Sequence, residues 1–167
     1  MKREILVDID RCLGCKSCEI ACAVSHSKSK DLFGVVLNNE RALKRIFVSQ
    51  AGKKNVPLTC RHCEEAPCID ACIAGAMYRN DEGIVTNEQG LNECVGCWMC
   101  VMFCPYGVIR SFYDTRKAIK CDRLCFDGTD RPACVRACPT GALSYVEVDE
   151  FSKNRRYEFL FKTLSES

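Results

Sequence analysis

Sixteen cysteines fall along this chain of 167 residues in four groups of four, and their spacing limits the possible folds more than any other feature. The groups are Cys12/Cys15/Cys18/Cys22, Cys60/Cys63/Cys68/Cys72, Cys94/Cys97/Cys100/Cys104 and Cys121/Cys125/Cys134/Cys138. The first and third read C-x2-C-x2-C-x3-C. Three thiolates two residues apart share one tight loop that can curl around a single four-iron cube, its amides turned toward the sulfurs. The next cysteine lies one helical turn on, about 6 Å along the axis, and can face a different cluster. Two clusters sharing such a helix have edges on the order of 10 Å apart, close enough for tunnelling. The cysteines make up about 10% of the residues, a level at which their chemistry sets the architecture.

The hydrophobic fraction of 47% counts cysteine, so the purely apolar core is modest and folding should be coupled to metal binding. A net charge of +2 gives no electrostatic reason to expect nucleic acid or an anionic membrane as partner. Only Ile5 to Val7 is continuously apolar near Met1, too little for a secretory signal, and nothing approaches the roughly 20 apolar residues that span a bilayer. A cytoplasmic location without membrane insertion is therefore expected, where thiols stay reduced and a disulfide scaffold is disfavoured. Zinc is the chemical competitor, in a nucleic-acid or protein-interaction module. Zinc ribbons, however, set two C-x2-C knuckles across a long loop, whereas Cys12, Cys15 and Cys18 stand on consecutive turns. Cys104-Pro105 and Cys138-Pro139 carry the proline that closes the iron–sulfur run.

The local pattern predicts a small α+β fold. Ile5 to Ile9 reads as a strand, followed by a short helix through Cys18 and Cys22. The plan recurs with a strand at Gly83 to Thr86 and a helix from Cys100 to Cys104, ended by Pro105. The phrases Ala74 to Tyr78 behind Cys72 and Thr140 to Tyr145 behind Cys138 match, which marks a duplicated ferredoxin plan. Residues 26–59 are expected to hold a hairpin turning at Ala51 to Asn55. Tyr157, Leu160, Phe161 and Leu164 form an apolar stripe at helical spacing, expected to pack on the body, with a partner-docking helix as the alternative. His62 is read as a hydrogen-bonding or surface residue and His26 as surface. Arg61, Lys120 and Arg123 either tune a neighbouring cluster or solvate their loops. No catalytic constellation stands out, so no bond chemistry is expected.

The order of the four groups, with C-x2-C-x4-C-x3-C second, resembles the iron–sulfur subunits of the dimethyl sulfoxide reductase class. Cys12-Leu-Gly-Cys-Lys-Ser-Cys-Glu-Ile-Ala-Cys22, Cys60-Arg-His-Cys63-Glu-Glu-Ala-Pro-Cys68 and Val95-Gly-Cys-Trp-Met-Cys-Val-Met-Phe-Cys-Pro105 look most like the subunit associated with carbon monoxide dehydrogenase. The resemblance covers residues 5 to 148. It implies four [4Fe-4S] clusters with crossed ligands. Cys12, Cys15 and Cys18 would share one with Cys138, and Cys121, Cys125 and Cys134 a second with Cys22. Cys60, Cys63 and Cys68 would pair with Cys104, and Cys94, Cys97 and Cys100 with Cys72.

It also implies two ferredoxin-like lobes: an outer one of residues 1–30 and 106–150, and an inner one of 56–105. Residues 31–55 would connect them and 151–167 would form a C-terminal helix or tail. The implied function is electron transfer from a catalytic metalloenzyme, such as carbon monoxide dehydrogenase, to a hydrogenase, flavoprotein or ferredoxin. Related subunits serve formate dehydrogenases, hydrogenases and tungsten aldehyde oxidoreductases. A redox sensor would use the same clusters, though one would suffice to sense. Two departures stand out. Cys121 and Cys125 enclose one residue more than the family's C-x2-C, which puts the cluster that also needs Cys22 in question. Ile73 follows Cys72 where many relatives have proline.

Overall fold

The computed structural model describes residues 3–112 and 114–165, with side chains as far as Phe161. Strand β1 (Arg3–Val7) leads into helix α1 (Ser17–Ser25), then α2 (Leu32–Leu37) and the strands β2 (Ile46–Ala51) and β3 (Lys54–Thr59). The middle of the chain forms α3 (Pro67–Asp70), β4 (Tyr78–Arg79), β5 (Val85–Thr86) and α4 (Met99–Phe103). Next come β6 (Arg110–Phe112), β7 (Lys117–Ile119), α5 (Ala133–Arg136), β8 (Leu143–Glu147) and α6 (Val148–Ser165).

Among the described residues the strands make four two-stranded antiparallel sheets. The one that shapes the molecule is β1 against β8, from Arg3 opposite Glu147 to Val7 opposite Leu143, which joins the two ends of the chain. Ile5 and Leu143 point inward from this ladder, 3% exposed each, onto Cys18, Cys22, Cys134 and Ile46. The same ladder sets α1 beside α5. In the middle of the chain α3 lies against α4, and Met77, Val85, Cys100, Ile109 and Ala118 form a second buried cluster. Both cores are small and cysteine-rich.

The expected hairpin is present as β2–β3, with Ile46 opposite Thr59 and Ala51 opposite Lys54. Gly52 takes φ +60° at the first of two turn residues, a backbone that matches strand twist and suits glycine. Helix α2, which apolar spacing did not announce, starts where the Asp31 carboxylate accepts the Gly34 N–H at 2.8 Å.

Two expectations are corrected. Residues 106–119 were assigned to the outer lobe, yet Ile109 and Ala118 pack with Met77 and Val85, so this stretch belongs to the middle of the chain. The reason is the β6–β7 ribbon, which turns Ala118 toward Cys94 and Cys100 before the chain returns to its ends. The C-terminal stripe was expected to pack on the body. Tyr157, Leu160 and Phe161 instead stand 52%, 55% and 70% exposed, and α6 meets the body at its start, beside β8. The Leu164 side chain lies outside the described residues.

Candidate metal centres

Each cysteine group opens with the same backbone move. The second residue after its first cysteine is left-handed in all four: Gly14 at φ +72°, His62 at +46°, Gly96 at +70° and Arg123 at +58°. In the first and third groups the residue after the second cysteine is left-handed too, Lys16 at +60° and Trp98 at +63°, immediately before α1 and α4. A side chain at positive φ costs about 1 kcal/mol or more, so four loops that repeat it are shaped around something other than their own packing. Backbone amides serve the sulfurs, from the reversed residue itself at His62 and from neighbouring segments elsewhere. The N–H groups of Arg45, His62, Met77 and Ala118 donate to the sulfurs of Cys22, Cys60, Cys72 and Cys94 at 3.2, 3.4, 3.3 and 3.5 Å.

The structure brings cysteines from distant groups together. Cys12, Cys15 and Cys18 line one hollow with Cys138, and Cys94, Cys97 and Cys100 line another with Cys72. Cys22, Cys121, Cys125 and Cys134 are all buried at 3 to 7% exposure. Burial drives the Cys134 thiol upward, and the proximity of Cys121, Cys125 and Cys22 adds to it. Burial likewise pushes Cys22 up to about 12, with Cys121 and Cys125 adding to it. Cys68 is raised by burial, and both Cys60 and Cys104 lie close enough to raise it further. Cys63 stands on the same loop, three residues after Cys60.

These donor sets fit iron–sulfur cubes. They consist of thiols alone, served by backbone amides, and burial raises the thiols of Cys18, Cys22, Cys60, Cys68, Cys100, Cys125 and Cys134, so ligation must supply the positive charge that keeps these ionised. Among the described residues no three His, Cys, Asp or Glu side chains converge tightly enough for a single metal ion. A lone tetrahedral zinc would draw its sulfurs to about 3.8 Å from one another, given Zn–S bonds of about 2.3 Å. Bound cubes supply reversible one-electron storage; the chain's part is to hold, insulate and orient them.

The extra residue in Cys121-Asp-Arg-Leu-Cys125 is absorbed outward. Leu124 is 57% exposed and its N–H is taken by the Asp122 carboxylate at 3.1 Å, while the four nearby cysteines remain buried. The longer loop thus sits in the most enclosed of the four sites.

Several residues read as bland in sequence are structural. His26, expected on the surface, is 10% exposed, its Nε2 3.3 Å from the Asp122 carboxylate and its Nδ1 3.7 Å from the Cys22 sulfur. It is held there because it caps the C-terminal end of α1, one turn after Cys22, where α1 meets α5. His62 is 1% exposed and its Nδ1 accepts the Val85 N–H at 3.0 Å, in keeping with a hydrogen-bonding role. Arg123 is buried in an ion pair with Glu4 and donates to the Arg3 carbonyl at 2.7 Å, while Arg61 is exposed. Sequence reasoning missed Arg45, whose guanidinium pairs with Asp122 beneath the Cys22 sulfur, and Arg79, which donates to the carbonyls of Cys63, Glu64 and Gly83 and braces the second loop. Their spacing carries no signal, because each partner lies in a different turn of the chain.

Comparison with known proteins follows the same lines. A family model described as a 4Fe-4S dicluster domain matches residues 53–148, and a 4Fe-4S binding domain matches residues 9–25. The chain is 39% identical to the electron transport protein HydN of Escherichia coli K12, over 96% of this chain and all of HydN. It is 39% identical to an iron-sulfur protein of Rhodospirillum rubrum, covering 88% of this chain and 83% of that protein. It is 37% identical to the thiosulfate reductase electron transfer subunit PhsB of Salmonella typhi, covering 87% of this chain and 76% of PhsB.

Proposed function

The chain belongs to the 4Fe-4S dicluster domain family and is an iron–sulfur electron-transfer protein, and from that premise we propose that it carries electrons through four [4Fe-4S] clusters in series. The observation that carries this reading is the sharing of short helices between sites. Helix α1 bears Cys18 toward Cys12 and Cys15 but Cys22 toward Cys121 and Cys125. Helix α4 holds Cys100, its second residue, among Cys72, Cys94 and Cys97 and is followed by Cys104 near Cys68. Cys121 also lies close enough to raise the Cys60 thiol, which links the two helix pairs. The order of sites is then Cys12/Cys15/Cys18/Cys138, Cys22/Cys121/Cys125/Cys134, Cys60/Cys63/Cys68/Cys104 and Cys72/Cys94/Cys97/Cys100, in two ferredoxin-like halves. The end sites carry the two exposed cysteines, Cys15 and Cys97, where partners would approach.

On this reading one end accepts electrons from a catalytic oxidoreductase and the other delivers them to a hydrogenase, flavoprotein or ferredoxin in the cytoplasm. The printed role of PhsB as an electron transfer subunit supports a catalytic partner. The motifs in the first three cysteine groups favour a carbon monoxide dehydrogenase, with formate dehydrogenase, hydrogenase and tungsten aldehyde oxidoreductase as competing donors. Anaerobically purified protein should hold about sixteen iron and sixteen acid-labile sulfide per chain, four of each to a cluster. It should also be reduced by one of these enzymes with its substrate. Stoichiometric zinc without sulfide, or full clusters that no donor reduces, would sink the proposal.

A further inference from the structure

Lys120 is the most voluminous fully buried side chain among the described residues, with 2% exposure. Its ammonium donates to the Val85 carbonyl and, at 3.0 Å, to the Cys121 carbonyl. Val85 belongs to the buried cluster of the middle of the chain, whereas Cys121 stands beside Cys22 and Cys134. The ammonium therefore sits at the junction of the two halves. From there it adjoins a third site: Val85, whose carbonyl it holds, gives its own N–H to His62 Nδ1 at 3.0 Å, and the His62 N–H donates to the Cys60 sulfur at 3.4 Å. In keeping with this, burial raises the Cys60 and Cys68 thiols and the Lys120 cation opposes it in both.

Three other buried or half-buried cations near the cysteine sites have carboxylate partners, Arg123 with Glu4, Arg45 with Asp122 and Lys44 with Glu19, whereas Arg79 beside Cys63 spends its guanidinium on the carbonyls of Cys63, Glu64 and Gly83. Among the described residues no carboxylate is ion-paired with Lys120. A buried ammonium needs a countercharge, and two carbonyl dipoles supply only part of one. Ligation would supply full negative charge on the side of the Cys60 loop, which His62 ties to Val85.

We propose that Lys120 is the positioning charge at the junction of the electron path, raising the reduction equilibrium of the Cys60/Cys63/Cys68/Cys104 centre above that of its neighbours. This rests on the cluster reading given above. A four-iron cube with four thiolates is anionic when oxidised and gains one more negative charge on reduction, so a fixed cation favours the reduced form. In the step it governs, one electron leaves a reduced neighbouring centre and enters this one. No bond forms or breaks. An electron crossing between the halves then pauses at the junction, which keeps the two end sites free to exchange with partners independently.

The test is an anaerobic redox titration of the full-length, cluster-loaded protein followed by electron paramagnetic resonance, with iron and sulfide counted in every sample. Lys120→Met should retain full iron and shift the one-electron equilibrium of a single centre at least tenfold toward oxidised, about 59 mV. Lys120→Gln, which keeps a hydrogen-bond donor without the charge, should shift as Lys120→Met does, and Lys120→Arg should stay within threefold of the parent. The shifting centre should be the one missing from Cys63→Ala. Unshifted equilibria in fully loaded Lys120→Met or Lys120→Gln overturn the proposal, as does a shift at another centre. Equal loss of iron from all three Lys120 variants also overturns it, because the residue would then be only a structural tie. A parent protein without acid-labile sulfide defeats the cluster reading itself, a result obtained before any variant is made.

Discussion

A side chain at Gly96 would have nowhere to go. Its φ is +70° and a Cβ there would lie 2.5 Å from the Arg116 carbonyl oxygen, a backbone atom that cannot swing away. Gly96→Ala should therefore destabilise the protein by about 2–4 kcal/mol, combining left-handed strain with a forced backbone shift, and release iron from the Cys94/Cys97/Cys100 loop. Gly107 has nearly the same φ, +61°, but open space around its Cβ. Gly107→Ala should cost only about 1 kcal/mol and keep full iron; denaturant titration with iron analysis separates the two. Asp122 accepts from Arg45, from the Leu124 N–H and from His26 when that ring nitrogen carries a proton. Asp122→Asn should cost about 3–5 kcal/mol by stranding a buried guanidinium, seen as a lower denaturant midpoint and earlier loss of the cluster at Cys22.

At the scale of elements, α1 works because one turn separates Cys18 from Cys22, and because Glu19 between them ties the helix to the β2–β3 hairpin. Its carboxylate accepts the Val48 N–H at 2.6 Å and the Lys44 ammonium at 2.5 Å. Burial works against that charge, yet the two donors outweigh it and hold the carboxyl below its ordinary range. Glu19→Gln should lose about 1–3 kcal/mol and speed hydrogen exchange at the Val48 amide, with less effect on β4–β5. Helix α6 is the opposite case. Its exposed aromatic residues contribute little to either core, so deletion of residues 151–167 should leave iron content unchanged and shift the melting temperature by only a few degrees. A loss of iron on that deletion would show that the helix supports the fold after all.

At the scale of the whole molecule, the described residues form two buried cores, each of which uses cysteines where a larger domain would use leucine or phenylalanine. Without its cysteines the first reduces to Ile5, Ile46, Val135 and Leu143, with a few half-buried neighbours. That area cannot offset the conformational entropy of 167 residues, so removing iron should unfold the chain. Chelation under reducing conditions should abolish the helical circular dichroism, and iron with sulfide should restore it. The closure that builds the first core was hard to read, because Ile5 and Leu143 each sit in ordinary strand patterns with nothing in either to name its partner. The hairpin at Gly52 and the helix turns at Cys18/Cys22 and Met99 to Phe103 were legible because each depends on residues a few positions apart. The stripe of α6 misled for the complementary reason: periodicity shows that a helix has an apolar face, not that anything covers it.

The spacing of the cysteines by itself determined the chemistry, since backbone rise and loop length decide which thiols share a turn and which point one turn away. It also determined that folding depends on inorganic centres, because so few other residues remain to form a core. Only the tertiary structure decided which groups meet: β1 must find β8 before Cys138 can stand beside Cys12, and such long-range closure is set by burial rather than by any local signal. The same holds for Lys120 and His26. Their surroundings come from elements far away in sequence, so a lysine that reads equally as tuning a cluster or solvating its loop becomes a buried charge between Val85 and Cys121, and a histidine that reads as surface becomes a ring beside the Cys22 sulfur.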